Sequence, residues 1–176
     1  MGRAPHLRVR YNKSVYPPSD HQLMYETDDR VFFFSHAFDP LNNWSAHQVT
    51  AWGHTFATVE HGFHYRKFSD HDPDITALIV AAPSPFAALE LAKLHKAKRR
   101  ADWDAVKVDI MTELVRAKAA QHKDVRDCLL ATGTKLIVEN SPWDDFWGNG
   151  PDGIGQNKMG VILMQVRDEL RQRGEA

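Results

Sequence analysis

Apolar residues recur along this chain with a period that changes several times, and the changes divide it into elements. "RVFFFS", Arg30 to Ser35, is a short aromatic run of β-favouring composition and predicts a strand. "HAFDPLNNWSAHQVTAWGH" follows with proline, two asparagines and scattered aromatics but no helical period, which predicts an ordered loop or short strands. From Thr55 the period turns helical. In "TFATVEHGFHYRKF", Phe56, Val59, Phe63 and Lys67 fall along one stripe with Glu60 at its edge. Asp72-Pro73 and Ser84-Pro85 each combine a capping side chain with a first-turn proline, so each opens a short helix. The first would bury Ile75, Leu78, Ile79 and Ala82; the second runs into "FAALELAKLHKAKRR". The longest clean pattern is "DWDAVKVDIMTELVRAKAAQH", where Trp103, Val106, Ile110, Leu114 and Ala117 recur at three- and four-residue steps. A helix over about 124–131 stops at Gly133, "KLIVEN" reads as a strand, and Asn157 caps a last helix to about Arg173. Val161, Leu163, Met164 and Leu170 are among the apolar positions of that helix. The sum is a mainly helical single domain with a small β component, α+β rather than doubly wound, over residues 31–173. Residues 1–30, polar and proline-containing, read as an N-terminal arm.

Composition narrows the classes of function. With 176 residues, 43% of them hydrophobic and 26% charged, the chain can bury one sizeable core. A formal charge of −1 gives no global attraction to nucleic acid or anionic lipid. Only one cysteine occurs, Cys128, so no intrachain disulfide forms, and cytoplasm is the expected compartment. No apolar run has the length of a membrane span or the form of a signal peptide. Met1-Gly2 starts like a myristoylation site, but His6 stands where Ser or Thr is wanted.

Three stretches could carry chemistry, and two others decline on inspection. "GNGPDG", Gly148 to Gly153, has the G-x-G-x-x-G spacing, yet too little chain follows for the helix and second parallel strand of a dinucleotide-binding unit. Ten histidines suggest metal, but no H-E-x-x-H or Cys/His zinc pattern occurs; His61 and His64, three apart, read as partly exposed helix histidines. Of the three, Glu60 and Lys67 stand two helical turns apart, roughly 10.5 Å of rise, on nearly one face. On spacing alone they read as a solvated helix acid and a solvated helix base; Val59 and Phe63 on that face weigh against this, because they predict burial and buried ionic groups need partners. "VENSPWDDFWGNGPDG" places Asp144 and Asp145 between Trp143 and Trp147, carboxylates beside flat faces suited to a heterocycle and its glycosidic bond, or else a packed loop anchored by tryptophan. "KLHKAKRR", Lys93 to Arg100, reads as a solvated helix end, with phosphate or nucleic-acid contact as the lesser alternative.

Taken together and in order, "TVEHGFHYRKF", "AAPSPFAALELAK", "RADWDAVKVDIMTELVRAK" and "LLATGTKLIVENSPWDDFWGNGPDGIGQNKMGVILMQVR" resemble the YbiA-like or NADAR family over about Phe32 to Leu170. The resemblance implies a compact YbiA-like fold and an N-glycosidase acting on the bond between a ribose-type sugar and a nitrogen. Its substrates would be early riboflavin-pathway intermediates, ribosylamino-pyrimidines, or ADP-ribosylated guanine. It implies Glu60, Lys67 and Asp144 as catalytic residues, with Trp103, Trp147, Gly148 and Asn157 around the substrate, and no metal or organic cofactor. "LNNW", Leu41 to Trp44, departs from the family's Leu-Ser-Asn-Phe, and Asn43 in it is a further substrate-binding candidate. Glu60 and Asp144 would share acid and base or electrostatic work, and Lys67 would either orient the substrate or attack the anomeric carbon. Partners would be a small nucleotide-like substrate or ADP-ribosylated nucleic acid, with no membrane. The other class of function open to such a chain is an ADP-ribose or nucleotide recognition module without turnover.

Overall fold

Short-range capping and turn chemistry decide where each element begins. The computed structural model describes residues 24–34 and 39–174, and these divide into two compact units. The first unit holds residues up to 34 and 132–161. Its sheet has three strands, β1 (Tyr25–Glu26), β2 (Arg30–Phe33) and, from the second part of the chain, β5 (Leu136–Glu139). β2 lies in the middle, antiparallel to β1 and parallel to β5, with Phe32 opposite Val138. Tyr25 stacks on its cross-strand partner Phe32 at 4.3 Å. Tyr25 and Glu26, inside the stretch expected to be an arm, are thus sheet residues; the rest of that stretch to residue 23 lies outside the described residues.

The second unit holds residues 39–131 and 162 onward. It begins with a hairpin, β3 (Val49–Ala51) and β4 (His54–Phe56), closed by Trp52 and Gly53. Both turn residues have positive φ, 51° and 77°, as a two-residue turn between twisted strands requires. The helical period expected from Thr55 therefore starts later. Phe56 is a strand residue, Thr58 is extended, and α1 covers only Val59–Tyr65. The Thr58 side chain accepts the His61 N–H and fixes that start. Lys67 accordingly sits in the turn after α1 and not on the helix.

α2 (Pro73–Val80) and α3 (Pro85–Leu94) open at the expected caps, Asp72 and Ser84, each accepting a backbone N–H from the first turn. Phe68, Ile75, Ile79, Ala88 and Ala92 form their shared core. Leu78, expected in it, is exposed, because it stands on the flank of α2 away from the face shared by Ile75, Thr76 and Ile79. α4 (Trp103–Gln121) is the longest helix and α5 (Lys123–Ala131) follows at once. α1 lies so close on α4 that a Cβ at Gly62 would stand 2.7 Å from Leu114 Cδ2. α6 (Lys158–Gln172) buries Met159, Ile162, Leu163, Val166 and Leu170, whereas Val161, expected among them, faces out.

Candidate active site

The second unit brings Glu60, Lys67, Trp103 and Asn43 into one neighbourhood. Glu60 opens α1, where a carboxylate suits the helix N-terminus. Its Oε1 accepts from His64 Nε2 at 2.8 Å, one turn on, and both side chains are nearly buried, at 12% and 2% exposure. Nδ1 of His64 is buried without a hydrogen-bond partner. His61 is buried as well, its ring held by the Thr58 hydroxyl at 2.8 Å and the Ala82 carbonyl at 3.1 Å. The expectation of partly exposed histidines fails for both, because α1 is covered on either side by α3 and α4. His64 is the residue that sequence reading missed; the i, i+4 spacing from Glu60 was the available signal.

Lys67 Nζ stands over two aromatic faces, 5.2 Å from the Phe63 centroid and 5.1 Å from that of Trp103. Those two rings meet edge to face at 4.8 Å. Trp103 is buried, so it forms a wall beneath the lysine. Burial in this apolar cage pushes the Lys67 ammonium down to about 8; the Glu60 carboxylate opposes the shift, and Arg99, Lys107 and Lys93 add to it. For Glu60, burial works to raise the carboxyl, but His64, Lys67 and His61 together outweigh it and hold the group below the ordinary glutamate range. The result is an ionised acid beside an amine that loses its proton readily. Cys128, by contrast, is pushed up to about 11 chiefly by burial and is no nucleophile at neutral pH.

Asn43 belongs to the loop before the hairpin. Its carbonyl accepts the Glu60 N–H at 3.2 Å and its Nδ2 donates to Met111 Sδ at 3.5 Å. The basic segment from Lys93 runs past Lys67, with the Arg100 N–H donating to the Lys67 carbonyl at 2.9 Å. Its charges are largely spoken for: Lys93 pairs with Glu90, Lys98 with Asp72, Arg99 with Asp104, and Arg100 with Asp102 and Asp70. That pairing favours the solvated helix end over an open nucleic-acid footprint.

The first unit carries the other candidates. Asp144 Oδ1 accepts the N–H groups of Phe146 and Trp147 at 2.9 and 2.8 Å, turning the chain so that the two rings meet edge to face. Gly148 is buried where a Cβ would stand 2.7 Å from both the Glu139 carbonyl and Ser141 Cβ. Asn157, at φ 49°, accepts the Glu139 N–H through Oδ1 at 2.9 Å and donates through Nδ2 to the Ile137 carbonyl at 2.8 Å. It clamps β5 to the start of α6. The start of the glycine-rich loop is therefore packed close against the end of β5, whereas residues 151–154 are exposed. Among the described residues no group of three or more His, Cys, Asp or Glu side chains is placed to hold a metal ion, and no helix is long and apolar enough to cross a membrane.

This arrangement has relatives. An N-glycosidase of Nostoc punctiforme is 44% identical over 132 residues, 74% of this chain and 85% of that protein. N-glycosidase YbiA of Escherichia coli K12 is 32% identical over 148 residues, 84% of this chain and 91% of that protein. The NMR structure of Escherichia coli YbiA superimposes with a TM-score of 0.73 at 28% identity, covering 88% of this chain and 92% of that one. A riboflavin biosynthesis protein of Vibrio vulnificus is 34% identical over 84% of this chain, which spans 38% of that longer protein. The family model described as the NADAR domain matches residues 24–171. By fold, sequence and extent of match, the chain belongs to the NADAR domain family.

Proposed function

We propose that this chain is an N-glycosidase that releases a nitrogen base from a ribose-type sugar through an imine on Lys67. It is a hydrolase of N-glycosyl compounds, as its relatives' names support. The observation that supports the covalent route is the Lys67 head group caged over the Phe63 and Trp103 faces near the nearly buried Glu60, where burial pushes the ammonium down to about 8. A lysine desolvated to this degree has the free amine that attack on carbon needs.

The glycosyl nitrogen's lone pair forms a C1=N bond as the ring oxygen leaves C1 with its bonding pair and takes a proton from solvent. The Lys67 amine then adds to C1. Its surplus proton passes through the Glu60 carboxylate to the glycosyl nitrogen, which departs as the free base amine with the C1–N bonding pair. The sugar remains as a C1 imine on Lys67. Water adds at C1, one of its protons passes to the Lys67 nitrogen and the other returns to solvent, and the nitrogen leaves with its bonding pair as the free amine, releasing an aldehyde sugar. His64 keeps the Glu60 carboxyl oriented and acidic enough to be an anion at the outset.

A ribosylamino-pyrimidine fits this chemistry, because its exocyclic nitrogen can push the sugar ring open. The riboflavin biosynthesis proteins among the relatives support that substrate class over guanine-linked ADP-ribose. The roles given by family resemblance to Asp144, Trp147, Gly148 and Asn157 remain part of the proposal.

The test is borohydride reduction during turnover of a ribosylamino-pyrimidine. The expected result is a reduced sugar adduct on Lys67 by peptide mass spectrometry, absent in Lys67→Arg. Turnover without any adduct would sink the imine, and base release unchanged in both Glu60→Gln and Lys67→Arg would sink the site. Binding without release in wild type would favour the recognition module.

A further inference from the structure

Lys118 is a buried cation that the chemistry above does not use. It lies on α4, is 3% exposed, and donates from Nζ to the Pro40 carbonyl at 2.6 Å, the Asn42 carbonyl at 2.8 Å and Ser45 Oγ at 2.6 Å. Those are the three donors of a lysine head, all satisfied, and every acceptor belongs to one loop. Taking a charge out of water with Asp39 and Asp124 acting only from beyond ion-pair distance is an expensive way to hold a loop, and an apolar side chain of similar size would be a cheaper filler. What the ammonium supplies that a methyl cannot is direction. It ties residues 40, 42 and 45 to one point on α4, so the backbone of Asn43 is pinned on both sides.

Asn43 is where that loop reaches the reacting groups. Its carbonyl takes the N–H of Glu60, and its side chain reaches back to Met111, also on α4. Within the loop, Ser45 Oγ donates to the Asn42 carbonyl at 2.7 Å, and the Trp44 N–H to Asn42 Oδ1 at 2.7 Å, so the segment moves as a piece. We infer that Lys118 is a positioning residue for the Glu60 site: by fixing the 40–45 loop it sets, through the Asn43 carbonyl, the place of the first turn of α1 and of the Glu60 carboxylate. Its relevance to turnover rests on the proposed role of Glu60. Catalytic groups must be held within about 0.5 Å of the productive geometry, and a shift of about 1 Å costs roughly a hundredfold in rate.

The experiment uses the full chain with Lys118→Met, which keeps the length and removes the donors. Amide hydrogen exchange of Glu60 is read by NMR, with the amides of Met111 and Leu114 in α4 as internal reference. Exchange at Glu60 is expected to quicken about tenfold or more while the α4 amides stay within about twofold. On a ribosylamino-pyrimidine, kcat is expected to fall about 10- to 100-fold with a smaller change in KM, and the fall should largely vanish in a Glu60→Gln background, as residues acting through one group require. Unchanged Glu60 exchange overturns the inference. So does a kcat loss that multiplies with that of Glu60→Gln, or faster exchange with kcat intact. If wild type turns nothing over, the functional reading has failed, while the exchange measurement still decides whether Lys118 holds Glu60. If Lys118→Met does not fold, Ser45→Ala removes one of the three acceptors and should move both readouts the same way by a smaller factor.

Discussion

Lys67 and Glu60 show how little of a residue's chemistry resides in its identity. A lysine in water keeps its proton to beyond pH 10, but this one, between two rings and three further cations, releases it at about 8. About one molecule in ten therefore carries the free amine at pH 7. Because the proposed nucleophile is the neutral form, kcat/KM should climb about tenfold per pH unit up to pH 7 and level off above 8. A profile flat from pH 6 to 9 would contradict this. Glu60 is the opposite case: burial alone would raise it, and its partners hold it below the ordinary range, so it is already an anion where Lys67 begins to deprotonate. Glu60→Gln should lower kcat by about a hundredfold or more with the fold intact by circular dichroism. Removing His64 as Phe takes away the carboxylate's hydrogen-bond partner and raises the Glu60 pKa, so the rate profile should fall more steeply at its acid end, where Glu60 gains its proton as well as Lys67. An unchanged slope at the acid end would show that His64 only fills space.

At the scale of elements, the decisive feature is the shortness of α1. Seven residues give few internal hydrogen bonds, so its cap and its packing carry most of its stability. Because the Thr58 hydroxyl also holds His61, Thr58→Ala should cost about 2 kcal/mol in chemical denaturation, the upper end for a cap. Gly62→Ala places a methyl against Leu114 and should cost about 1–3 kcal/mol in chemical denaturation. A neutral result would mean that α1 and α4 part easily. In the other unit, Asp144 folds its loop by accepting two backbone N–H groups through one oxygen. Asp144→Asn keeps an acceptor there and Asp144→Ala does not. If Asp144 has only this structural task, the Asn variant should retain both thermal midpoint and turnover while the Ala variant loses both; loss of turnover alone in the Asn variant would support its proposed role as a catalytic carboxylate.

For the whole molecule, charge and relatives point to a small substrate. The net charge is −1 and the basic run from Lys93 to Arg100 is largely paired with acids, so long-range attraction to a polyanion is weak. Offered a ribosylamino-pyrimidine and guanine-linked ADP-ribose in DNA side by side, the protein should release base from the first with the higher kcat/KM, read by mass spectrometry. Faster release from the DNA would reverse the substrate assignment.

Local chemistry was legible in the sequence. The caps at Asp72 and Ser84, the long period of α4, the strand at 136–139 and the last helix are all short-range matters of side chain against backbone, and the ordered motifs carried the family. Tertiary packing decided the rest. A helical period through Phe56 gave way to a hairpin because two residues with positive φ turn the chain there, and Leu78 and Val161 face out because only part of an apolar stripe finds a neighbour. No spacing rule reveals that His61 and His64 are buried, that Trp103 lies beneath Lys67, or that Lys118 reaches a loop more than seventy residues away. A proton affinity, like a buried hydrogen bond, depends on what folding brings near, and the chain's order names the groups without stating their surroundings.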